Sequence, residues 1–243
     1  MSSRFAERFS TSITEANSRG RVAVIPDIKC ISPKEGDLLR GRDPVDIAKL
    51  LVCCGAPALS VVTEREHFGG GPDLLRAVAD ATSVPILRKD FIKDESALEE
   101  TVEMGASAIL LICSVMDRKT LSKLYESAIR LGLEPLVEVC TEEELKFACE
   151  LGAQLIGINN RDIATLELDN GGPSRTAALA CAVPKGALFI SESGILTPDD
   201  ARLAACAGAN AVLVGTALLR ADNIAAMYQS LQVERGRDSC ALS

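Results

Sequence analysis

Eight short apolar segments recur along the 243-residue chain, and stretches with helical signals lie between them. The segments are rich in Val, Ile, Leu and Ala, which is typical of parallel strands buried on both faces. They span residues 22–28, 58–62, 84–88, 107–112, 134–139, 154–158, 187–191 and 210–214. Eight strand–helix units predict an α/β fold of the (β/α)8 TIM-barrel type. An open doubly wound sheet is the alternative, but the Gly-x-Gly-x-x-Gly turn typical of that fold does not follow the first segment.

Capping residues and glycines mark where the intervening helices begin and end. A side-chain cap suited to a helix N-terminus occurs at Asp43, Asp94, Asp117, Thr141 and Thr197. A glycine that permits the left-handed C-cap closes these helices at Gly55, Gly105, Gly132, Gly152 and Gly208. Each helix therefore has a defined start and a turn that leads back into the next strand.

No linker divides the chain, so residues 1–243 are predicted to form a single barrel domain. Residues 1–20 are expected to form a short N-terminal helical extension, with a polar amphipathic helix over residues 4–18. Residues 234–243 are polar and are predicted to be a loose C-terminal tail.

Composition excludes several classes of protein. A net charge of −8 without a basic tract argues against nucleic-acid binding. No apolar stretch approaches the roughly 20 residues that a membrane helix needs, and the N-terminus lacks the apolar region of a signal peptide. We therefore expect a cytoplasmic protein without membrane contact.

The cysteines are numerous but carry no metal-binding or disulfide pattern. There are nine of them and a single histidine, so neither a disulfide framework nor a usual zinc site is expected. Cys149, Cys181 and Cys206 are predicted to be small core residues on helices.

Active sites of such barrels lie at the C-terminal ends of the strands, so polar residues there are candidate site residues. Asp27 and Lys29 point to the same side of the first strand because side chains alternate along a strand. Two buried charges cost several kcal/mol each unless they find partners. The other strand ends contribute Lys89, Glu138, Asn159, Arg161, Glu192 and Ser193.

Two lysines and several carboxylates at one mouth predict acid–base chemistry, although a single such pair could be a structural ion pair. Ser193-Gly194 and Gly215-Thr216 follow strands seven and eight, where barrels commonly bind phosphate. We therefore expect a small phosphorylated substrate and no metal. Glu64, Glu66 and His67 are interpreted as solvated loop residues, and Phe68 and Phe91 as either core or the wall of an apolar substrate site.

Taken together, the motifs resemble the indole-3-glycerol phosphate synthase family. The resemblance runs from about residue 22 to residue 232, with a motif at seven of the eight strand ends. The motifs are Ile28-Lys29-Cys30-Ile31-Ser32-Pro33, Thr63-Glu64 with Phe68-Gly69-Gly70, Arg88-Lys89-Asp90-Phe91, Leu136-Val137-Glu138-Val139, Asn159-Asn160-Arg161-Asp162, Ser191-Glu192-Ser193-Gly194 and Val214-Gly215-Thr216.

The family resemblance implies a carbon–carbon carboxy-lyase of tryptophan biosynthesis. Such an enzyme closes the indole ring of 1-(2-carboxyphenylamino)-1-deoxyribulose 5-phosphate with loss of carbon dioxide and water. The family uses no metal or organic cofactor. Association with other enzymes of the tryptophan pathway is a further expectation.

The resemblance also implies roles for individual residues. Lys89 would be the general acid that protonates the ketone as the ring closes, and Glu138 would assist the later dehydration. Lys29 would hold the substrate carboxylate and is a second candidate acid. With Asp27, its neighbour in the first-strand motif, it completes the implied catalytic set of Lys89, Glu138, Lys29 and Asp27.

The other residues implied by the resemblance bind substrate. Asn159, Glu192 and Ser193 would position the sugar hydroxyls and the anilino nitrogen, while Phe68 and Phe91 would pack on the anthranilate ring. The residues that would surround the phosphate are Ser32, Arg161, Gly194, Gly215 and Thr216.

Three departures from the family pattern leave other functions open. Asp27 stands where the family has glutamate, Cys30 stands where it has a basic residue, and only about 20 residues precede the first strand. We expect the short extension to leave a reduced lid over the barrel mouth, which would admit more water. The alternatives are a diverged paralogue acting on a related phosphorylated substrate in a specialised pathway and a non-catalytic barrel subunit.

Overall fold

A computed structural model describes residues 8–161 and 172–235, and its eight parallel strands close into a barrel. In chain order the barrel strands are Ala23–Ile28, Leu59–Val62, Ile86–Lys89, Ala108–Ile112, Glu134–Val139, Leu155–Asn159, Leu188–Glu192 and Ala211–Val214. Each strand pairs with the next one in the chain, and the pairing of Ile25 with Leu213 closes the barrel between the first and the last. The predicted strands and the predicted fold class are therefore confirmed.

Helices alternate with the strands, and four of them begin directly after a predicted side-chain cap, namely Asp43, Asp117, Thr141 or Thr197. The helix predicted to begin at Asp94 instead follows Glu95. The bounds of the helices are Phe9–Asn17, Pro44–Cys53, Pro72–Ala81, Ser96–Glu103, Arg118–Arg130, Glu142–Glu150, Ser174–Leu179, Pro198–Cys206, Thr216–Arg220 and Ile224–Ser230. Asp43 accepts hydrogen bonds from the backbone amides of Val45 and Asp46, and Thr197 and Asp200 form a reciprocal capping box. Within the described ranges, no helix is long and apolar enough to cross a membrane.

Alternation along the strands divides the core into two layers and aims the polar residues inward. Ala23 and Ile25 belong to the apolar cluster that fills the barrel, whereas Val22 and Val24 pack outward against the helices. Asp27 continues the inward-facing series at the C-terminal end of its strand, because every second side chain lies on the same face. On three other strands a polar residue lies two positions after a residue of the inner cluster and therefore faces inward as well. These pairs are Leu87 and Lys89, Leu136 and Glu138, and Ile190 and Glu192.

The N-terminal helix closes the bottom of the barrel, opposite the site. Phe9 and Ile13 are fully buried in the cluster that fills the barrel interior. The Ser10 amide donates to the carboxylate of Glu134, 3.3 Å away, at the start of the fifth strand. The expectation that the extension forms a lid over the mouth is therefore wrong for the described residues 8–20. The first seven residues, including the start of the predicted helix 4–18, lie outside the described residues.

The chain returns to the bottom of the barrel at its C-terminal end. Glu234 forms an antiparallel bridge with Arg21, and the Arg235 amide donates to the Gly20 carbonyl at 3.0 Å. These two residues of the predicted tail are thus hydrogen-bonded to the segment that precedes the first strand. The rest of the tail, residues 236–243, lies outside the described residues.

The cysteines of the described part of the chain are free thiols. Cys181 and Cys206 are exposed and Cys149 is half-buried. The prediction that Cys181 and Cys206 are core residues is therefore wrong. Cys206 is the last residue of its helix, and Cys181 lies in the short 3-10 turn Ala180–Ala182 that follows the helix Ser174–Leu179.

Candidate active site

A cavity opens at the C-terminal ends of the strands. Its lining includes Asp27, Lys29, Phe68, Lys89, Phe91, Glu138, Asn159, Arg161 and Ser193. A smaller adjoining pocket is lined by several of the same residues together with Gly194, Gly215 and Thr216. Because Asp27, Lys29, Lys89, Arg161 and Ser193 line both spaces, the two form one continuous site.

A buried ion pair lies beneath this cavity. The Lys89 Nζ atom is 3.2 Å from the Glu192 Oε2 atom, and the Glu192 side chain has no exposed surface. Apart from Lys89, neither carboxylate oxygen of Glu192 has a hydrogen-bond partner in the described part of the chain. Burial raises the pKa of Glu192 to about 8, with Glu138 and Asp27 adding to the rise and Lys89 opposing it. Glu192 can therefore hold or release a proton near neutral pH.

The raised pKa of Glu192 predicts a pH dependence of stability. Its pKa rises from an ordinary 4.5 to about 8 in the folded protein, so between these values the native state binds a proton that the unfolded state has released. The free energy of unfolding should then fall as the pH increases from about 5 to about 8, by at most about 1.4 kcal/mol per pH unit. Urea unfolding of the wild type and of Glu192→Gln across this range measures the effect, because other titrating groups cancel in the difference. Parallel curves for the two proteins would contradict the assignment.

Glu138 is held in orientation by an amide. The Asn159 Nδ2 atom donates to Glu138 Oε1 at 3.0 Å, and Asn159 Oδ1 accepts from the Arg161 amide at 3.0 Å. Arg175 in turn donates to the Asn159 carbonyl at 2.8 Å. Glu138 is buried yet lines the cavity, so a molecule bound there would lie beside its carboxylate.

Asp27 is fixed by a serine on the neighbouring strand. The Ser60 hydroxyl donates to Asp27 Oδ1 at 2.6 Å, and both residues are buried. A Cβ atom at Gly215 would lie 3.3 Å from the Asp27 Cβ atom, so the glycine leaves room for the aspartate. Asp27 thus occupies a fitted position at the cavity wall rather than a loose one.

We expect Asp27→Glu to raise kcat, because the added methylene carries the carboxylate about 1.5 Å further into the cavity, where 1 Å displacements change rates as much as ~100-fold. Steady-state rates of the wild type and of Asp27→Glu test this expectation. Asp27→Asn is measured beside them to show whether the negative charge is needed. A lower rate for Asp27→Glu would mean that the site has been rebuilt around aspartate and its bond to Ser60.

Aromatic and aliphatic side chains form one wall of the cavity. Phe68 and Phe91 both line it, together with Leu110 and Ile112. The Lys29 Nζ atom lies 5.7 Å from the centre of the Phe68 ring. Both phenylalanines therefore line the cavity, and Phe91 also packs against the apolar cluster inside the barrel. Their contact with an apolar part of a substrate stays a prediction.

Glu64 holds the loop that carries Phe68. Its side chain is only 11% exposed, and its carboxylate accepts hydrogen bonds from the amides of Glu66, His67 and Phe68 at 2.9–3.1 Å. These bonds lower the pKa of Glu64, although burial, the largest single influence, opposes them. The interpretation of Glu64 as a solvated loop residue is therefore wrong.

The smaller pocket is bounded by a turn with left-handed backbone. Ser193 has φ of 62° and Gly194 has φ of 71°, and both line the pocket with Arg161, Gly215 and Thr216. Ser32 lines neither of the two spaces described above. It lies in the short strand Ile31–Ser32, which pairs with Gly36–Asp37, and its hydroxyl accepts a long 3.4 Å bond from the Glu35 amide.

A glycine that sequence reasoning did not single out makes room for Glu192. A Cβ atom at Gly157 would lie 2.0 Å from Glu192 Oε1. A glycine within an apolar strand often marks such a close approach, and this was the available signal. The side chains of Ser60 and Asn160 were also missed, because their partners are on other strands.

Comparisons with known proteins agree with this geometry. The model of the family described as "Indole-3-glycerol phosphate synthase" matches residues 2–231. A Pyrococcus furiosus protein of that name is 45% identical over 206 residues, which cover 85% of this chain and 90% of the relative. Proteins of the same name from Halalkalibacterium halodurans and Geobacillus kaustophilus are each 41% identical; the alignments cover 83% and 91% of this chain, and 78% and 85% of those relatives. The chain therefore belongs to the indole-3-glycerol phosphate synthase family.

Proposed function

We propose that this protein catalyses the indole-3-glycerol phosphate synthase reaction. As a carboxy-lyase, it closes the indole ring of 1-(2-carboxyphenylamino)-1-deoxyribulose 5-phosphate and releases carbon dioxide and water. The observation that carries this proposal is that Glu138 and Lys89, the latter paired with the buried Glu192, line a cavity that has an aromatic wall and continues into a smaller pocket. Family membership adds independent support.

The two parts of the site match the two ends of this substrate. The anthranilate ring would lie against Phe68 and Phe91, with its carboxylate near the Lys29 ammonium group. The phosphate would occupy the smaller pocket, whose lining includes the cationic Arg161 together with Gly194, Gly215 and Thr216. The role of Ser32 in phosphate binding rests on its motif alone.

Lys89 is proposed as the general acid of ring closure. The ring carbon that bears the carboxylate attacks the ketone carbon, and Lys89 gives its proton to the ketone oxygen as negative charge develops there. The bond to the carboxylate then breaks and carbon dioxide leaves. Glu192, 3.2 Å from Lys89 Nζ, keeps the ammonium group at the cavity floor.

Glu138 is proposed to assist the loss of water that completes the aromatic ring. The new hydroxyl leaves as water after accepting a proton, and a ring proton departs. Glu138 lines the cavity and is oriented by Asn159. Asp27 would support the positive charge of the two lysines that line the same cavity.

Buried charges argue against a non-catalytic barrel. Glu138 and Glu192 are 1% and 0% exposed, and burial of such groups costs stability unless it serves a function. No feature of the cavity favours a different phosphorylated substrate over the proposed one.

A growth test examines the proposal in a cell. A bacterial strain that lacks its own synthase should grow without tryptophan when it expresses this protein. It should not grow when it expresses Lys89→Ala at an equal soluble level. Absence of growth with abundant, folded wild-type protein would count against the proposed reaction.

We further propose that the chain folds as one domain, is cytoplasmic and associates with other enzymes of tryptophan biosynthesis. A single cooperative unfolding transition, cell fractionation and co-purification with those enzymes test these three statements separately. The net charge of −8 is compatible with a location in the cytoplasm.

A further inference from the structure

A buried hydrogen-bond network lies behind the active site and is centred on Asn160. The Asn160 Nδ2 atom is 3.0 Å from Ser191 Oγ, 2.9 Å from the Glu192 carbonyl and 3.1 Å from the Ser193 carbonyl. On the other side, Asn160 Oδ1 accepts from the amide and the hydroxyl of Thr176, each at 3.0 Å. Asn160 is 4% exposed and lines neither space of the site.

The partners dictate which way the amide of Asn160 faces. Carbonyl oxygens can only accept and the Thr176 backbone amide can only donate, so the nitrogen must face the seventh strand and the oxygen must face Thr176. Aspartate cannot replace asparagine here because its ionised form has no donor for the two carbonyls. Serine and alanine are too short to reach both sides.

This network acts on a strained part of the backbone. Among the described residues other than glycine, only Arg40 and Ser193 have positive φ. Such a conformation costs of order 1–3 kcal/mol and persists only where its surroundings hold it. At Ser193 the holding group is Asn160, which binds the carbonyl of Ser193 and, through both its side chain and its backbone amide, the carbonyl of Glu192.

We propose that Asn160 is a positioning residue for the reaction. It fixes the backbone of residues 192–194, and it thereby sets both the Lys89–Glu192 pair and the left-handed turn at the phosphate pocket. This role of Asn160 rests on the proposed function only in one respect, which is that the proposed reaction supplies the identity of the substrate. The geometry of the turn can be tested without turnover.

A matched pair of asparagine variants tests this role. Asn210 also bonds the seventh strand, because its Oδ1 atom accepts from the Phe189 amide at 2.9 Å, but it does so at the end away from the site. Asn160→Ala should lower kcat/KM at least about 30-fold, since displacements of about 1 Å can cost ~100-fold. Asn210→Ala should change kcat/KM less than about twofold, although both variants lower Tm.

Calorimetric titration with inorganic phosphate separates this proposal from the proposed reaction. We expect Asn160→Ala to weaken phosphate binding at least about fivefold, or about 1 kcal/mol. Asn210→Ala should bind like the wild type. If the wild type makes no indole, the proposed reaction is wrong. The comparison of phosphate binding among the three proteins still tests the positioning role of Asn160. A wild type that binds no phosphate, or two variants that behave alike, would overturn the positioning role.

A milder variant covers the case in which Asn160→Ala does not fold. Thr176→Val keeps the shape and the backbone donor but removes the hydroxyl that contacts Asn160 and Ser191. We expect a loss in kcat/KM of about three- to tenfold, which is the effect of one hydrogen bond of about 1 kcal/mol. A value within twofold of the wild type would overturn the proposal.

Discussion

Replacing Lys89 with alanine is expected to lower kcat at least about 1,000-fold, because general acid catalysis contributes roughly 10²–10⁴-fold. Lys89 is the last residue of the third strand and lines both parts of the site. Its ammonium group sits 3.2 Å from Glu192, at the floor where the ketone would lie.

The fold should survive this substitution. Loss of the ammonium group leaves Glu192 buried without its cation, and the pKa of Glu192, already raised by burial, should rise further. At neutral pH the carboxyl lies below its raised pKa and is already mainly protonated, so loss of the ammonium group leaves a neutral acid and not an unpaired buried charge. Circular dichroism and Tm should therefore stay close to the wild type at neutral pH.

Lys93→Ala is the matched control for Lys89→Ala. Lys93 is exposed, lies four residues further along the chain and lines neither part of the site. It should retain nearly full activity. Comparable rates for Lys89→Ala and the wild type would remove Lys89 from the role of general acid.

Gly157→Ala is expected to reduce kcat/KM about 100-fold, since it forces a displacement of more than 1 Å at the reacting centre. The new Cβ atom would lie 2.0 Å from Glu192 Oε1 and 3.2 Å from its Cδ atom. The carboxylate is the movable end of a side chain, so it should shift and break its contact with Lys89. Overpacking of this kind usually costs about 1–3 kcal/mol of stability, which most folds tolerate.

The glycine variant is compared with Gly172→Ala, where an added Cβ atom has no neighbour within 4 Å. Rates and urea unfolding of both variants separate the loss of geometry from a general loss of stability. An active Gly157→Ala protein would show that the position of Glu192 has little effect on the rate. It would argue against the role proposed for the Lys89–Glu192 pair.

The barrel fold, and the set of polar residues that meet at its mouth, could be predicted because both follow from local sequence patterns. Each strand is an apolar run and several helices carry a side-chain cap, so the eight units are visible in the sequence. Strand alternation and the rule that barrel sites lie at strand ends then place Asp27, Lys89, Glu138 and Glu192 together. The prediction that these four residues lie close together did not depend on any distance between them.

Other features depend on which surfaces meet, and the sequence does not contain that information. The apolar face of Phe9–Asn17 indicates burial but not whether the top or the bottom of the barrel covers it. Glu64 looks like a solvated acid because its partners are the amides of its own loop. Gly157 and Asn160 act on the seventh strand from the sixth, so their importance emerges only once the strands are paired.

Indole formation by the purified protein is the most direct measurement of the proposed reaction. The chain contains no tryptophan, so indole fluorescence of the product can be followed after 1-(2-carboxyphenylamino)-1-deoxyribulose 5-phosphate is added. We predict turnover in the ordinary enzymatic range of about 1 to 1,000 per second. A folded protein that binds phosphate but forms no indole would contradict the proposed reaction and point to a different phosphorylated substrate.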